Sequence, residues 1–232
     1  MTDLCILPGL DGTTRMLHDF IAAARPSFAA VEAIAYPTDI VLGYRDLEIF
    51  ARAALPHDVP FVLLGESFSG PVAISIAADP PPNLTGLVLS TTFARAPVPL
   101  LGPLASLSRF APTHSLPTPL LSAVLLSRWS TPALRSRLRA ALDDVAPAVQ
   151  RARAAAAMRI DVSDRLANIA VPTLLLKANQ DRLLRPGAGR QLLESIVNVL
   201  QVALDGPHLL LQTRTERCAE AVARFAASAR LG

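Results

Sequence analysis

Short apolar runs alternate with longer stretches of helical spacing over most of this chain, and no other feature restricts its fold as strongly. The runs are LCILPG (4–9), VEAIAYP (31–37), PFVLLG (60–65), LTGLVLS (84–90), VPTLLLKA (171–178) and NVLQVAL (198–204). Between them, apolar residues recur at helical intervals. Met16, Leu17, Phe20 and Ile21 form one such set, and Leu47, Phe50, Ala51 and Leu55 another within 44–55. Further helices are expected over 71–78, 187–195 and 215–227. The 60–65 run is apolar almost throughout, as expected for a strand covered on both faces. The alternation predicts an α/β fold: a mostly parallel central sheet with helices on both faces. Right-handed crossovers then bring the carboxyl ends of the strands to one edge, where ligands bind in such sheets.

The rhythm breaks after Thr92. Residues 93–160 hold no convincing strand, and six prolines lie between Arg95 and Leu120. Helical pieces follow near 120–128, 132–142 and 145–158. The expected division is therefore a core of residues 1–92 and 161–232, with 93–160 inserted at the ligand edge as a helical lid. Extra helical packing on the core is the alternative reading of that insertion.

Composition narrows the function classes. A chain of 232 residues, 51% hydrophobic and 18% charged, can bury a substantial single core. Aromatic residues make up 5%, so alanine, leucine and valine must fill it. The net charge of +3 is too mild for a nucleic-acid surface, and there is no basic arm or zinc-finger spacing. Cys5 and Cys218 stand apart from any metal-ligand pattern, and no metal or cofactor is expected. No segment reads as a signal peptide or a membrane span, which predicts a soluble cytoplasmic protein.

Chemistry concentrates at four strand ends. In VLLGESFSGPVAI (62–74) a strand runs into a helix through small residues, with Ser67 at the turn. Such a turn lifts a serine hydroxyl clear of the sheet and sets the next amide, Phe68, at a helix N-terminus. The usual pattern G-x-S-x-G is not met: Ser69 holds the fifth position and the glycine comes one step late, at Gly70. Serine hydroxyls need a base. His18, His57 and His114 read as structural or solvated, whereas His208 stands in LDGPHLLLQT just past the last strand. Asp181, in LLLKANQDRLLRP, lies about three residues beyond the strand before it and is placed to hold the imidazole. The loop LPGLDGT (7–13) offers Leu10 N–H as a second oxyanion donor beside Phe68 N–H. Glu66 has no role in this scheme; it is expected to point into the scaffold.

The chain order Ser67, Asp181, His208 resembles that of the α/β-hydrolase superfamily, and LPGLDGT, GESFSG, NQDRLLRP and GPHLLLQT are similar to its site segments. The likeness is to compact bacterial carboxyl-ester hydrolases. It implies an α/β-hydrolase fold trimmed of its two N-terminal strands. It also implies a Ser67–Asp181–His208 triad with an oxyanion hole at Leu10 and Phe68. A serine at the elbow argues against the aspartate-nucleophile dehalogenases and epoxide hydrolases.

The implied function is hydrolysis of carboxylic esters or thioesters through an acyl-enzyme, on a small-molecule acyl substrate. The alternatives are a non-hydrolytic enzyme with the same triad, such as a lyase, synthase or perhydrolase, or a binding protein with a vestigial site. The insertion carries apolar side chains at Leu100, Leu101, Leu104, Leu107, Phe110, Leu120, Leu121, Val124, Leu125 and Trp129. Leu125 and Trp129 are the candidates to meet substrate. Arg128, Arg135, Arg137, Arg139, Arg151, Arg153, Arg159 and Arg165 make its second half cationic, which suits an acyl carrier protein or coenzyme A; a solvated face is the simpler reading.

Overall fold

The computed structural model describes residues 2–96 and 118–229. Six parallel strands form one sheet in the order β2-β1-β3-β4-β5-β6. They are β1 (Asp3–Leu7), β2 (Val31–Ala33), β3 (Phe61–Glu66), β4 (Leu84–Ser90), β5 (Thr173–Ala178) and β6 (Val199–Leu204). Strands are added to one side of β1 and then to the other, so the crevice between the ends of β1 and β3 is where a ligand site forms in such a fold. Leu7 of β1 pairs with Gly65 of β3, which sets the loop after β1 beside the turn after β3.

Alternate residues of each strand feed opposite faces. Cys5, Leu7, Leu63, Leu87 and Leu175 pack with α2 (Tyr44–Ala54), α3 (Gly70–Ala78) and α7 (Pro186–Ser195). Leu4, Ile6, Leu64, Val88 and Leu176 pack on the other side with α1 (His18–Ala24) and α9 (Thr215–Ser228). Both layers are rich in aliphatic side chains, as the low aromatic content requires. Cys5 sits in the first layer and Cys218 in the second; both thiols are free and buried.

Among the described residues, three α-helices lie between β4 and β5: α4 (Thr118–Leu125), α5 (Pro132–Asp143) and α6 (Pro147–Ala157). Thr131 caps α5 by accepting from Leu134 N–H at 3.2 Å. This segment joins the core at a narrow neck. Arg95 and Asp161 form an isolated antiparallel bridge there, Ala96 N–H donates to Ile160 O, and Val162 N–H donates to Ala94 O. The segment then packs back on the body: Leu126, Leu138 and Ala141 enclose Met16. Ion pairs Arg15–Asp144, Arg137–Asp19 (2.5 Å) and Arg128–Asp205 (2.8 Å) tie it down on two sides.

Most expected elements agree to within two residues. The second strand is the exception: it ends at Ala33 rather than near Pro37. Tyr36 has left the sheet edge to turn its ring inward, where it is 2% exposed. The expected apolar positions Leu100, Leu101, Leu104, Leu107 and Phe110, together with His114, lie outside the described residues.

Candidate active site

The backbone bends sharply where β3 ends. Ser67 adopts φ +47°, a conformation that non-glycine residues rarely hold, and Ser67–Ser69 form a single tight turn before α3. Strain of this kind costs about 1–3 kcal/mol and persists only where the surroundings enforce it. The enforcing contacts are visible. Thr92 Oγ1 donates to Ser67 O, Tyr44 OH donates to Phe68 O at 3.1 Å, and the Tyr44 and Phe68 rings stack with centroids 4.8 Å apart. Gly65 is required because a Cβ there would come 2.7 Å from Ala73 Cβ and 3.0 Å from Ser69 O.

Gly70 explains the displaced glycine of the motif. A Cβ at Gly70 would collide with the Thr92 side chain, so the close approach falls at the sixth position. Ser69, in the fifth, has φ −84° and carries no backbone strain.

The turn presents Ser67 Oγ 2.7 Å from His208 Nε2, and His208 Nδ1 lies 2.8 Å from Asp181 Oδ2. His208 is 2% exposed. The other carboxylate oxygen of Asp181 accepts from Leu183 N–H at 2.8 Å and Leu184 N–H at 2.9 Å. Burial raises the Asp181 pKa, but the His208 hydrogen bond and charge, with those two amides, outweigh it and hold the carboxyl below its ordinary value. An ionised Asp181 accepts from His208 Nδ1–H, which leaves Nε2 free to accept from the serine hydroxyl. The three side chains come from the ends of β3, β5 and β6, and the fold brings them into one hydrogen-bonded line.

Gly9–Gly12 form the turn after β1, closed by Gly12 N–H donating to Gly9 O at 3.0 Å. Leu10 N–H meets no acceptor among the described residues. Asp11 turns its carboxylate onto Thr13, accepting from the amide at 3.0 Å and the hydroxyl at 2.5 Å. Burial raises its pKa despite those bonds.

Sequence reasoning left several partners unread. Glu66 does point into the scaffold. It accepts from Gln212 Nε2 at 2.8 Å, and burial pushes its pKa up to about 7. Arg153, read earlier as one arginine among eight, is 2% exposed and reaches the carbonyls of Leu10, Asp11 and Pro37. Its spacing of four from Val149, also buried, was the available signal.

Other cationic positions are also engaged. Arg128 pairs with Asp205, Arg137 with Asp19 and Arg165 with Glu48, while Arg135 donates to Ser130. Arg159 donates to the carbonyl of Ala155. Leu125 packs beside the Met16 cluster, and Trp129 has the Arg128 and Arg214 guanidiniums at 4.3 and 5.2 Å from its ring centroid. Among the described residues, no group of three or more His, Cys, Asp or Glu side chains is placed to hold a metal ion.

A family model described as "Serine aminopeptidase, S33" matches residues 35–212. A comparison with curated proteins returns no match. Several solved structures share the fold. The enol-lactonase of Burkholderia xenovorans LB400 superposes with a TM-score of 0.81 at 18% identity, covering 97% of this chain and 91% of that one. A thermophilic esterase of Thermogutta terrifontis gives 0.80 at 20% identity, covering 99% and 90%. MenH of S. aureus gives 0.75 at 17% identity, covering 99% and 94%.

Proposed function

We propose that this chain, which belongs to the serine aminopeptidase S33 family of α/β-hydrolases, is a serine hydrolase that cleaves carboxylic esters or thioesters through an acyl-enzyme. One observation carries the reading: Ser67, held at φ +47°, is joined through His208 to Asp181 by bonds of 2.7 and 2.8 Å.

In this reading His208 Nε2 takes the Ser67 proton as Oγ attacks the acyl carbonyl. Asp181 holds the imidazole and stabilises the imidazolium that forms. Leu10 and Phe68 amides donate to the oxyanion; one such donor is worth roughly 2.7–4 kcal/mol in the transition state. Collapse expels the alkoxide or thiolate, protonated by His208. Water, deprotonated in turn by His208, adds to the acyl-enzyme and releases the acid. Nothing in these steps calls for a cofactor.

Residues 93–160 act as the lid in this scheme, and the substrate is a small acyl ester. Leu125 and Trp129 remain the candidates to meet it from the lid, although the packing of both favours a structural part. The engagement of Arg128, Arg135, Arg137, Arg153, Arg159 and Arg165 within the molecule weighs against a lid that docks an acyl carrier protein or coenzyme A. We place the enzyme in the cytoplasm, in keeping with two unpaired thiols. No helix among the described residues is long and apolar enough to cross a membrane.

The test is turnover of p-nitrophenyl acetate and butyrate. Ser67→Ala abolishes it while the fold persists; an active Ser67→Ala variant refutes the assignment. A panel of ester, thioester and cyanohydrin substrates separates hydrolysis from a lyase or synthase reaction at the same triad.

A further inference from the structure

Arg153 is among the largest fully buried side chains in the molecule, and no carboxylate is within salt-bridge distance of it among the described residues. The Asp11 carboxylate offsets its charge through space only, and a guanidinium taken out of water without a direct ion pair is costly. All its recorded hydrogen bonds go to main-chain carbonyls: Nη1 to Leu10 O at 3.2 Å and Asp11 O at 2.7 Å, Nη2 to Pro37 O at 2.8 Å. Two of the three belong to the turn after β1. The side chain comes from α6, within the segment between β4 and β5, and spans to a loop more than a hundred residues earlier. Its head lies flat on Gly12, which has φ +70° and no room for a Cβ, since one would collide with the guanidinium.

The hydrogen bonds beyond Arg153 run in one direction. Asp11 C=O accepts from the guanidinium. The amide of that same peptide unit, Gly12 N–H, donates to Gly9 C=O at 3.0 Å. The amide of the next peptide unit, Leu10 N–H, faces no acceptor among the described residues. Two peptide dipoles thus line up head to tail between a full positive charge and an open N–H. Hydrogen bonds in such a chain polarise one another, and low local dielectric strengthens them. The arrangement makes Leu10 N–H a stronger and better-aimed donor than an isolated loop amide.

We propose that Arg153 is a positioning residue for the oxyanion hole, aiming and polarising Leu10 N–H through the Asp11–Gly12 and Gly9–Leu10 peptide units. The proposal rests on Leu10 serving as an oxyanion donor in the hydrolase reading above. It also makes the seating of α6 a condition for full transition-state stabilisation, so the helical segment acts on the rate as well as on access.

The test compares wild type with Arg153→Met and Arg153→Lys on p-nitrophenyl butyrate. Affinity for phenylboronic acid, thermal unfolding and amide hydrogen exchange over residues 9–13 are measured alongside. Arg153→Met lowers kcat tenfold or more with KM within twofold, weakens phenylboronic acid by a similar factor, and speeds exchange at the 9–13 amides. A merely structural residue lowers the unfolding temperature and leaves kcat and boronate affinity alone; that result overturns the proposal. Should Arg153→Met fail to fold, Arg153→Lys decides. Its ammonium lacks the fork that reaches three carbonyls, so a several-fold lower kcat at wild-type thermal stability supports the proposal and a wild-type kcat overturns it. If instead wild-type turnover persists in Ser67→Ala, the hydrolase reading has failed. The oxyanion-hole role of Arg153 then falls with it, whereas Ser67-dependent turnover with wild-type kcat and boronate affinity in Arg153→Met overturns the positioning role alone.

Discussion

Ser69 Oγ donates to the carbonyl of Pro8, while the Tyr36 hydroxyl lies 2.9 Å from the same Oγ. Since Ser69 spends its proton on Pro8, Tyr36 is the donor in the second contact. A serine in place of the usual glycine thus ties the elbow to the loop after β1 and to the inward-turned Tyr36. All three groups are buried or nearly so.

Replacing Ser69 tests that link. Ser69→Ala and Ser69→Gly each strand the Pro8 carbonyl and the Tyr36 hydroxyl in the interior. Each buried polar group left unmade costs about 1–3 kcal/mol. Both variants should unfold at lower denaturant than wild type, even though glycine restores the common motif. A Ser69→Gly variant as stable as wild type would show that the bridge contributes nothing.

Gly70 and Thr92 should behave as a coupled pair. Gly70→Ala pushes the new methyl into Thr92, and overpacking of this kind costs about 1–3 kcal/mol. The push is transmitted to Ser67, whose carbonyl Thr92 holds, so turnover should fall as well. Gly70→Ala combined with Thr92→Ser should recover part of the stability, since Cγ2 is one of the atoms in the way. Strict additivity of the two substitutions in chemical denaturation would contradict the contact.

Asp181→Asn keeps the shape of the acid and removes its charge. With the amide unable to hold Nδ1–H in place as a carboxylate does, the proposed triad loses the tautomer it needs. The expected loss in kcat is about 10⁴-fold with little change in fold. A loss of less than tenfold on the same ester would assign Asp181 to structure alone.

Glu66 should leave a signature in stability against pH. Burial raises its pKa to about 7 from an ordinary 4.5; the Gln212 hydrogen bond opposes this, Asp11 adds to it, and His208 and the Gly9 amide oppose it. The folded protein therefore binds a proton more readily than the unfolded chain between those values. Its contribution is complete below about pH 4.5 and is lost as pH rises through about 7. Glu66→Gln has no such proton, so its unfolding free energy should fall less steeply over that window. Urea titrations of both proteins at pH 5, 6, 7 and 8 make the comparison. Parallel curves would mean that Glu66 is ionised throughout.

The alternation of runs and helices, read with the strand-end positions of Ser67, Asp181 and His208, already located the crevice. Those signals are local: a strand needs its apolar run, and a loop residue needs only its distance from the strand end. What stayed hidden depends on contacts far apart in sequence. Tyr36 looked like the end of a strand because nothing nearby reveals a partner at Ser69. The late glycine could not be explained without Thr92, which lies on the neighbouring strand's exit. Arg153 was submerged among arginines that sequence reading treated as one charged face. Only its placement against Leu10 and Asp11 separates it from them.

The two cysteines divide the interior between them. Cys5 belongs to the core layer with α2, α3 and α7, and Cys218 to the layer with α1 and α9. Burial pushes both thiols up to about 12, where little thiolate exists at neutral pH. An alkylating reagent therefore finds neither sulfur while the layers stay closed. Each face of the sheet carries its own silent chemical reporter. The order in which the two are labelled during partial denaturation tells which side of the protein comes apart first.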